Sequence, residues 1–218
     1  IFFEIAFQFN VSHLLGNATI HFSVTRESSP HHIIIAANDT IPAIINSTDN
    51  IGEEININYL IDKGQHFLQP QLALQISFPK NVSDENQILY FTRISYSENA
   101  KCQSSHPSDL LKIDMGNPFT TSRIQEPLKD PNIYVNCDGY DCASINCTIA
   151  PSNITHVNIS FRLWKPTFIK AKIHSVELIV KASLRSENSL MILKKENEKI
   201  ESGVFSFPSS SRQDIITM

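Results

Sequence analysis

Three of the four cysteines, Cys137, Cys142 and Cys147, recur every five residues in VNCDGYDCASINCT, and the fourth is Cys102. Thiols grouped this way have three uses: zinc ligands, a redox pair, or disulfides. Structural zinc takes close ligand pairs such as C-x2-C or C-x4-C, so spacing alone leaves a four-cysteine zinc site open. A thioredoxin-like centre wants C-x-x-C, which does not occur. The compartment is the better guide. Asn146-Cys147-Thr148 is itself an N-x-S/T glycosylation acceptor, and further sequons lie at Asn10, Asn17, Asn38, Asn46, Asn81, Asn153 and Asn158. These are eight of 18 asparagines, where 36 Ser/Thr in 218 residues would give about three by chance. The excess points to an oxidising secretory pathway, in which an even cysteine count reads as disulfides.

Four cysteines allow three pairings. ASINC reads as strand, and five residues of strand span about 16 Å, well beyond the roughly 4.4–6.8 Å between Cα atoms that a disulfide needs. That disfavours Cys142 with Cys147. The connector DGYD can bring Cys137 and Cys142 together across a tight reversal, which leaves Cys102 for Cys147. The third pairing, Cys102 with Cys142 and Cys137 with Cys147, stays open but would leave the turn unstapled.

Other chemistry finds no foothold. The chain has 8 histidines and 22 carboxylates, but His31 and His32 are adjacent and so cannot share one side of a strand. No H-E-x-x-H, G-x-S-x-G, Gly-rich phosphate loop, Asp/Asn calcium loop or D-x-S-x-S metal motif occurs. Nothing selects two of the carboxylates as a glycosidase pair. The chain therefore reads as non-catalytic, with no metal or other cofactor. Trp164, the only tryptophan, reads as a strand-end aromatic packed near Pro166 and Phe168 rather than a binding hot spot. The net charge of -4 comes with no long run of like charges, so a nucleic-acid partner is not expected. The longest apolar run, Ile33 to Ala37, is far short of the roughly 18 residues that would span a bilayer.

The elements that must position these residues follow from a period of two. Phe3, Ile5, Phe7 and Phe9 alternate with polar or small residues, as do Ile20, Phe22 and Val24, and then Leu72, Leu74, Ile76 and Phe78. Val157, Ile159, Phe161 and Leu163 do the same, followed by Val176, Leu178, Val180, Ala182 and Leu184. Such alternation marks strands with one face on a core, and no stretch shows a 3.6-residue period. The expected fold is all-β, an antiparallel β-sandwich. Asn17 and Asn158 fall on polar positions, expected to face solvent. Gln103 to Asn136, with four prolines and little periodicity, reads as a long loop.

The block NCDGYDCASINCTIAPSNITHVNISFRLWKPTFIKA resembles the last third of calf-2, a membrane-proximal stalk domain of integrin alpha subunits. Upstream, EEININYLIDKGQHFLQPQLALQISFP is similar to its pair of turn-linked strands, and ISYSENAKC to the approach to its first half-cystine. Within the family, LWKPTFIKA and LRSENSL are most similar to the collagen- and laminin-binding alpha-1 type.

The resemblance implies residues 1–31 as the last strands of a calf-1-like sandwich, 32–208 as a calf-2-like sandwich with a long loop at 103–136, and 209–218 as a tail. It also implies the pairing Cys102–Cys147 with Cys137–Cys142. The function implied is a rigid extracellular spacer of a plasma-membrane adhesion receptor. Its partner would be an integrin beta subunit of the beta-1 type. A matrix ligand would be met through other domains, and the membrane through a segment outside this chain. No multibasic cleavage site lies between Cys102 and Cys137, so the chain is expected to stay uncut there. It begins without Met or a secretory signal, and so reads as part of a longer protein. The competing readings are a secreted or cell-surface β-sandwich binding module, or a hydrolase, unrelated to integrins. An immunoglobulin domain wants a Trp between bridged cysteines, whereas Trp164 follows all four.

Overall fold

The structure is a computed structural model that describes residues 2–11, 14–29, 40–63, 71–83, 86–108, 110–113, 116, 118–120, 132–152, 154–170, 175–186, 191–196 and 203–206. Side chains are not described at 2–29, 82–83, 132–133, 175–177, 191–196 and 203–206. The strands in chain order are β1 (Phe2–Val11), β2 (Leu14–Ser29), β3 (Ile44–Ile45), β4 (Glu54–Asp62), β5 (Leu72–Pro79), β6 (Asn81–Ser83), β7 (Asn86–Gln87), β8 (Leu89–Tyr96) and β9 (Ala100–Ser104). They continue as β10 (Phe119–Thr120), β11 (Asn132–Val135), β12 (Cys142–Ile149), β13 (Ile154–Leu163), β14 (Ser175–Leu178), β15 (Lys181–Ser186), β16 (Met191–Glu196) and β17 (Gly203–Ser206). Among the described residues, a 3-10 turn covers Thr48–Asn50 and a short helix, α1, covers Lys165–Lys170.

Two antiparallel sheets carry the core: a six-stranded one ordered β16-β1-β2-β4-β13-β8 and a four-stranded one ordered β15-β5-β12-β9. Alternation decides what lies between them. Val157, Ile159, Phe161 and Leu163 of β13 are fully buried, and Ile55, Ile57, Tyr59 and Ile61 of β4 stand on the same face. From the other sheet come Leu72, Leu74, Ile76 and Phe78 of β5 with Ala143, Ile145, Cys147 and Ile149 of β12. The Phe78 ring meets Phe161 edge-on at 4.8 Å and Phe91 at 5.9 Å, which ties the two sheets together. Each such side chain contributes about 1.5–3 kcal/mol on burial. The all-β sandwich expected from the sequence is the fold observed.

The structure differs from the sequence reading in several places. The alternating run Val176 to Leu184 is not one strand: β14 and β15 lie in different sheets, with Ile179 and Val180 between them. Ala182 is exposed and Leu184 half-buried because β15 is the edge of its sheet, where a strand's faces are least covered. A third sheet, ordered β11-β14-β17, contains a parallel pair, β11 with β14, which an antiparallel expectation misses. The stretch read as a long loop carries the end of β9, then β10, which pairs with β3, and then β11. β1 and β2 belong to the same sheet as β4, through the ladder from Ser23↔Asp62 to Ser29↔Asn56. The expected boundary at residue 32, the tail 209–218 and the adjacent His31 and His32 lie outside the described residues.

Candidate functional site

The VNCDGYDCASINCT segment lies where two sheets meet. β11 ends at Val135 in the three-stranded sheet and β12 begins at Cys142 in the four-stranded one, so the turn between them joins sheets rather than closing a hairpin. The Asp138 N–H donates to Asn136 Oδ1 at 3.0 Å, a local bond that holds the turn. Cys137 and Cys142 are bridged across it, their Cα atoms 5.6 Å apart. Ion pairs fix the flanks: Lys181 reaches both carboxylate oxygens of Asp138 at 2.9 and 2.8 Å, and Lys80 reaches Asp141 at 2.7 Å. His106 lies nearby; burial, then the positive charge of Lys80, lowers its pKa, and Asp141 opposes the shift.

Cys142 and Cys147 occupy one strand, and the second bridge runs sideways from it. Cys147, in β12, sits directly opposite Cys102, in β9, and the two are joined with Cα atoms 4.0 Å apart. No cysteine is free. Beyond β9 the pairing continues through Ser105, whose N–H donates to Ser144 O at 2.8 Å while its Oγ accepts from Ser144 N at 2.9 Å. Both bridges therefore act within a sheet or at its corner, and neither crosses the sandwich.

The sequons fall into distinct environments. Asn46 is exposed, just ahead of the Ser47 cap of the 3-10 turn, its Oδ1 accepting from Asn50 Nδ2 at 3.1 Å. Asn146 and Thr148 are both exposed on the outer face of β12, flanking the buried Cys147. Asn81 is half-buried. Asn158, expected to face solvent, stands in β13 between Asn58 of β4 and Ser95 of β8; its Oδ1 is buried without a hydrogen-bond partner. Its sequon serine, Ser160, is buried and donates to Asn56 Oδ1 at 2.6 Å. Asn153 lies outside the described residues, as does Asn38, while Asn10 and Asn17 are placed by backbone only, opposite Leu15 and Gln8.

Trp164 is buried, but its ring partners are not those expected. It leaves β13 for α1 and packs against Tyr90 at 5.5 Å and edge-on against Phe119 at 5.1 Å. With Ile45, Ile51 and Ile113 they form a second, smaller core. Phe168 belongs instead to the main one. Arg162 stitches this end together: Nη1 donates to Gly52 O at 3.0 Å, Nη2 bonds Asp49, and Glu54 lies at 3.8 Å.

Beside this end is a cavity of about 290 Å³, lined in part by Thr40, Asp49, Glu53, Lys165 and Pro166. Across it Lys165 faces Glu53 at 3.8 Å, an ion pair of opposite charges rather than a nucleophile set beside a base. Among the described residues, no group of three or more His, Cys, Asp or Glu is placed to hold a metal ion. Among them too, no helix is long and apolar enough to cross a membrane. Sequence reasoning missed one buried cation. Lys63 is 1 % exposed, donates from Nζ to Ala150 O at 2.7 Å, and has its pKa lowered by burial to about 8. It sits at the end of β4, where alternation continued one more residue would have placed it inside.

Comparison with known proteins identifies the arrangement. Residues 22–206 match the family model described as integrin alpha Ig-like domain 3. Integrin alpha-2 of Mus musculus is 22 % identical over 191 residues, covering 84 % of this chain and 15 % of the relative. Integrin alpha-2 of Bos taurus is 22 % identical over 189 residues, covering 84 % and 16 % respectively. The chain thus spans about 15 % of the length of these curated relatives. The Ig-like description holds here without the immunoglobulin Cys–Trp–Cys arrangement, since neither bridge crosses the core and Trp164 lies in the smaller cluster. The domain type is a non-enzymatic part of adhesion receptors, which sets aside the hydrolase reading. Because the match runs through both core sheets and both bridges, the chain belongs to the integrin alpha family, as its third Ig-like, stalk-forming module.

Proposed function

We propose that this chain is the lower leg of an integrin alpha subunit: a stiff, glycan-coated, disulfide-stapled spacer on the extracellular side of a plasma-membrane receptor. The observation that supports this most is the family match across residues 22–206. The spacer does no chemistry, and its useful property is resistance to bending. The buried face of the sandwich supplies that resistance, and the bridges at Cys102–Cys147 and Cys137–Cys142 reinforce one sheet and its corner. The sequons at Asn10, Asn17, Asn38, Asn46, Asn81, Asn146, Asn153 and Asn158 form the set from which its glycans are drawn.

The domain division belongs to the same proposal: 1–31 closing a calf-1-like sandwich, 32–208 forming the calf-2-like unit with a loop at 103–136, and 209–218 as a tail. On this division the β2–β4 ladder carries sheet hydrogen bonding from the first segment into the second. The partner is an integrin beta subunit of the beta-1 type, and matrix ligands are met through other domains. The subtype is proposed as alpha-1-like on LWKPTFIKA and LRSENSL, although the relatives matched above bear the alpha-2 name.

The test is co-expression of the full-length receptor chain carrying this segment with a tagged beta-1 subunit. A stoichiometric heterodimer at the cell surface is expected. Failure to form a complex with any beta subunit would sink the proposal.

A further inference from the structure

We infer that glycosylation of Asn146 competes in time with closure of the Cys102–Cys147 disulfide, so that the bridge, once made, ends the acceptor's availability. The inference rests on the extracellular reading above. The central residue of the sequon Asn146-Cys147-Thr148 is itself a half-cystine, buried at 2 % exposure and joined to Cys102. Sequon acceptors are used from surface loops, where the backbone is free to be drawn into a transferase. Asn146 has no such freedom after folding. β12 is an interior strand, and Asn146 is laddered on one side to Gln75 and on the other to Gln103.

Side-chain placement is a separate matter, and here it favours the glycan. Asn146 and Thr148 both stand exposed on the outer face, so a glycan attached earlier is carried without entering the core. The folded strand tolerates the modification and forbids its addition. Chain order sets up the race. Cys102 precedes Cys147 by 45 residues, so its thiol has emerged when the sequon arrives, because synthesis runs from the N-terminus.

Two reactions then draw on one segment. In the first, the Asn146 amide nitrogen loses a proton and bonds to the anomeric carbon of a lipid-pyrophosphate-linked oligosaccharide, and lipid pyrophosphate leaves. In the second, the Cys102 and Cys147 thiols release two protons and two electrons to a disulfide-bearing oxidant of the same compartment, which is reduced to its dithiol. Asn46 provides an internal control, being exposed just ahead of a turn with no cysteine in its sequon.

The experiment follows pulse-labelled full-length receptor chain in a glycosylating host with its beta subunit present, and measures occupancy at Asn146 and Asn46 by peptide mass. Wild-type chain should show partial occupancy at Asn146. A brief dithiothreitol treatment during the pulse, or the substitution Cys102→Ser, should raise it to the level at Asn46, with Asn46 itself unchanged. Intracellular pulse-labelled chain is read before export, so a folding defect in the variant does not obscure the result, and the dithiothreitol arm needs no variant. Equal Asn146 occupancy in all arms, whether full or nil, overturns the inference. A chain with no glycan at any sequon overturns the extracellular reading along with it, whereas glycans elsewhere with an unresponsive Asn146 overturn the inference alone.

Discussion

Lys63 Nζ donates to the backbone oxygen of Ala150 at 2.7 Å from a position only 1 % exposed. A cation placed there loses its water for one neutral hydrogen bond, which is why its pKa falls from 10.5 to about 8. The unfolded chain then binds more protons between those values, so the cost of burying the charge is fully present below about pH 8 and disappears by about pH 10.5. The cost is about 3 kcal/mol, and replacing the ammonium also gives up a hydrogen bond worth about 1 kcal/mol. Lys63→Met should therefore be more stable than wild type by about 2 kcal/mol at pH 7. Urea midpoints taken at several pH values should show this advantage shrinking from pH 8 to 10.5. A constant difference across that range would contradict a charged, buried Lys63.

Gly52 passes so close to β13 that an added Cβ would stand 2.3 Å from the Leu163 backbone oxygen. A backbone atom cannot swing aside as a side chain can. Gly52→Ala should cost about 1–3 kcal/mol, seen as a lower denaturant midpoint at unchanged slope. A variant as stable as the parent would mean that the Ile51–Glu53 segment is free to shift.

The two bridges should differ in weight according to the chain each closes. Loop-closure entropy assigns about 4 kcal/mol to Cys102–Cys147, across a separation of 45, and about 2 kcal/mol to Cys137–Cys142, across 5. Paired Cys→Ser variants compared by chemical denaturation test this order. The reverse order would show that the turn, not the long span, limits the unfolded ensemble.

Trp164 anchors the smaller core against Tyr90 and Phe119. Trp164→Ala should lose about 3–5 kcal/mol, while Trp164→Phe, which keeps an aromatic there, should lose less. In the parent, the single buried indole should emit as a dry tryptophan and shift to the red on unfolding. A solvent-like emission from the folded chain would place the ring outside the cluster.

Alternation was enough to find the faces of β5 and β13, because each strand lies inside its sheet with one side on the core. Leu72 to Phe78 and Val157 to Leu163 are buried at every second residue, as that pattern requires. The same rule failed from Val176 to Leu184, where a change of sheet preserves the period while altering what each residue faces. α1 has six residues, fewer than two helical turns, too few for a 3.6 period to register. The smaller core draws Ile45, Tyr90, Ile113 and Trp164 from four separate stretches, and nothing local to any of them signals the meeting. Asn158 stands on the face of β13 away from Val157 and Ile159, as alternation requires, but is half-buried there, because alternation gives a residue's side of the strand and not how closely the adjacent strands crowd it. The cysteines were more legible, since a strand of known rise forbids joining two residues along its own length.

The Cys102–Cys147 bridge also determines how much chain can be drawn out under load. Tension along the backbone passes from β9 to β12 through sulfur, and the intervening segment never enters the stretched path. About 150 Å of contour length, from 45 residues at about 3.4 Å each, stays locked even if the surrounding strands peel apart. A receptor leg built this way would lengthen under force by less than its residue count allows, and would keep the two ends of the bridged span side by side for re-pairing when the force is removed.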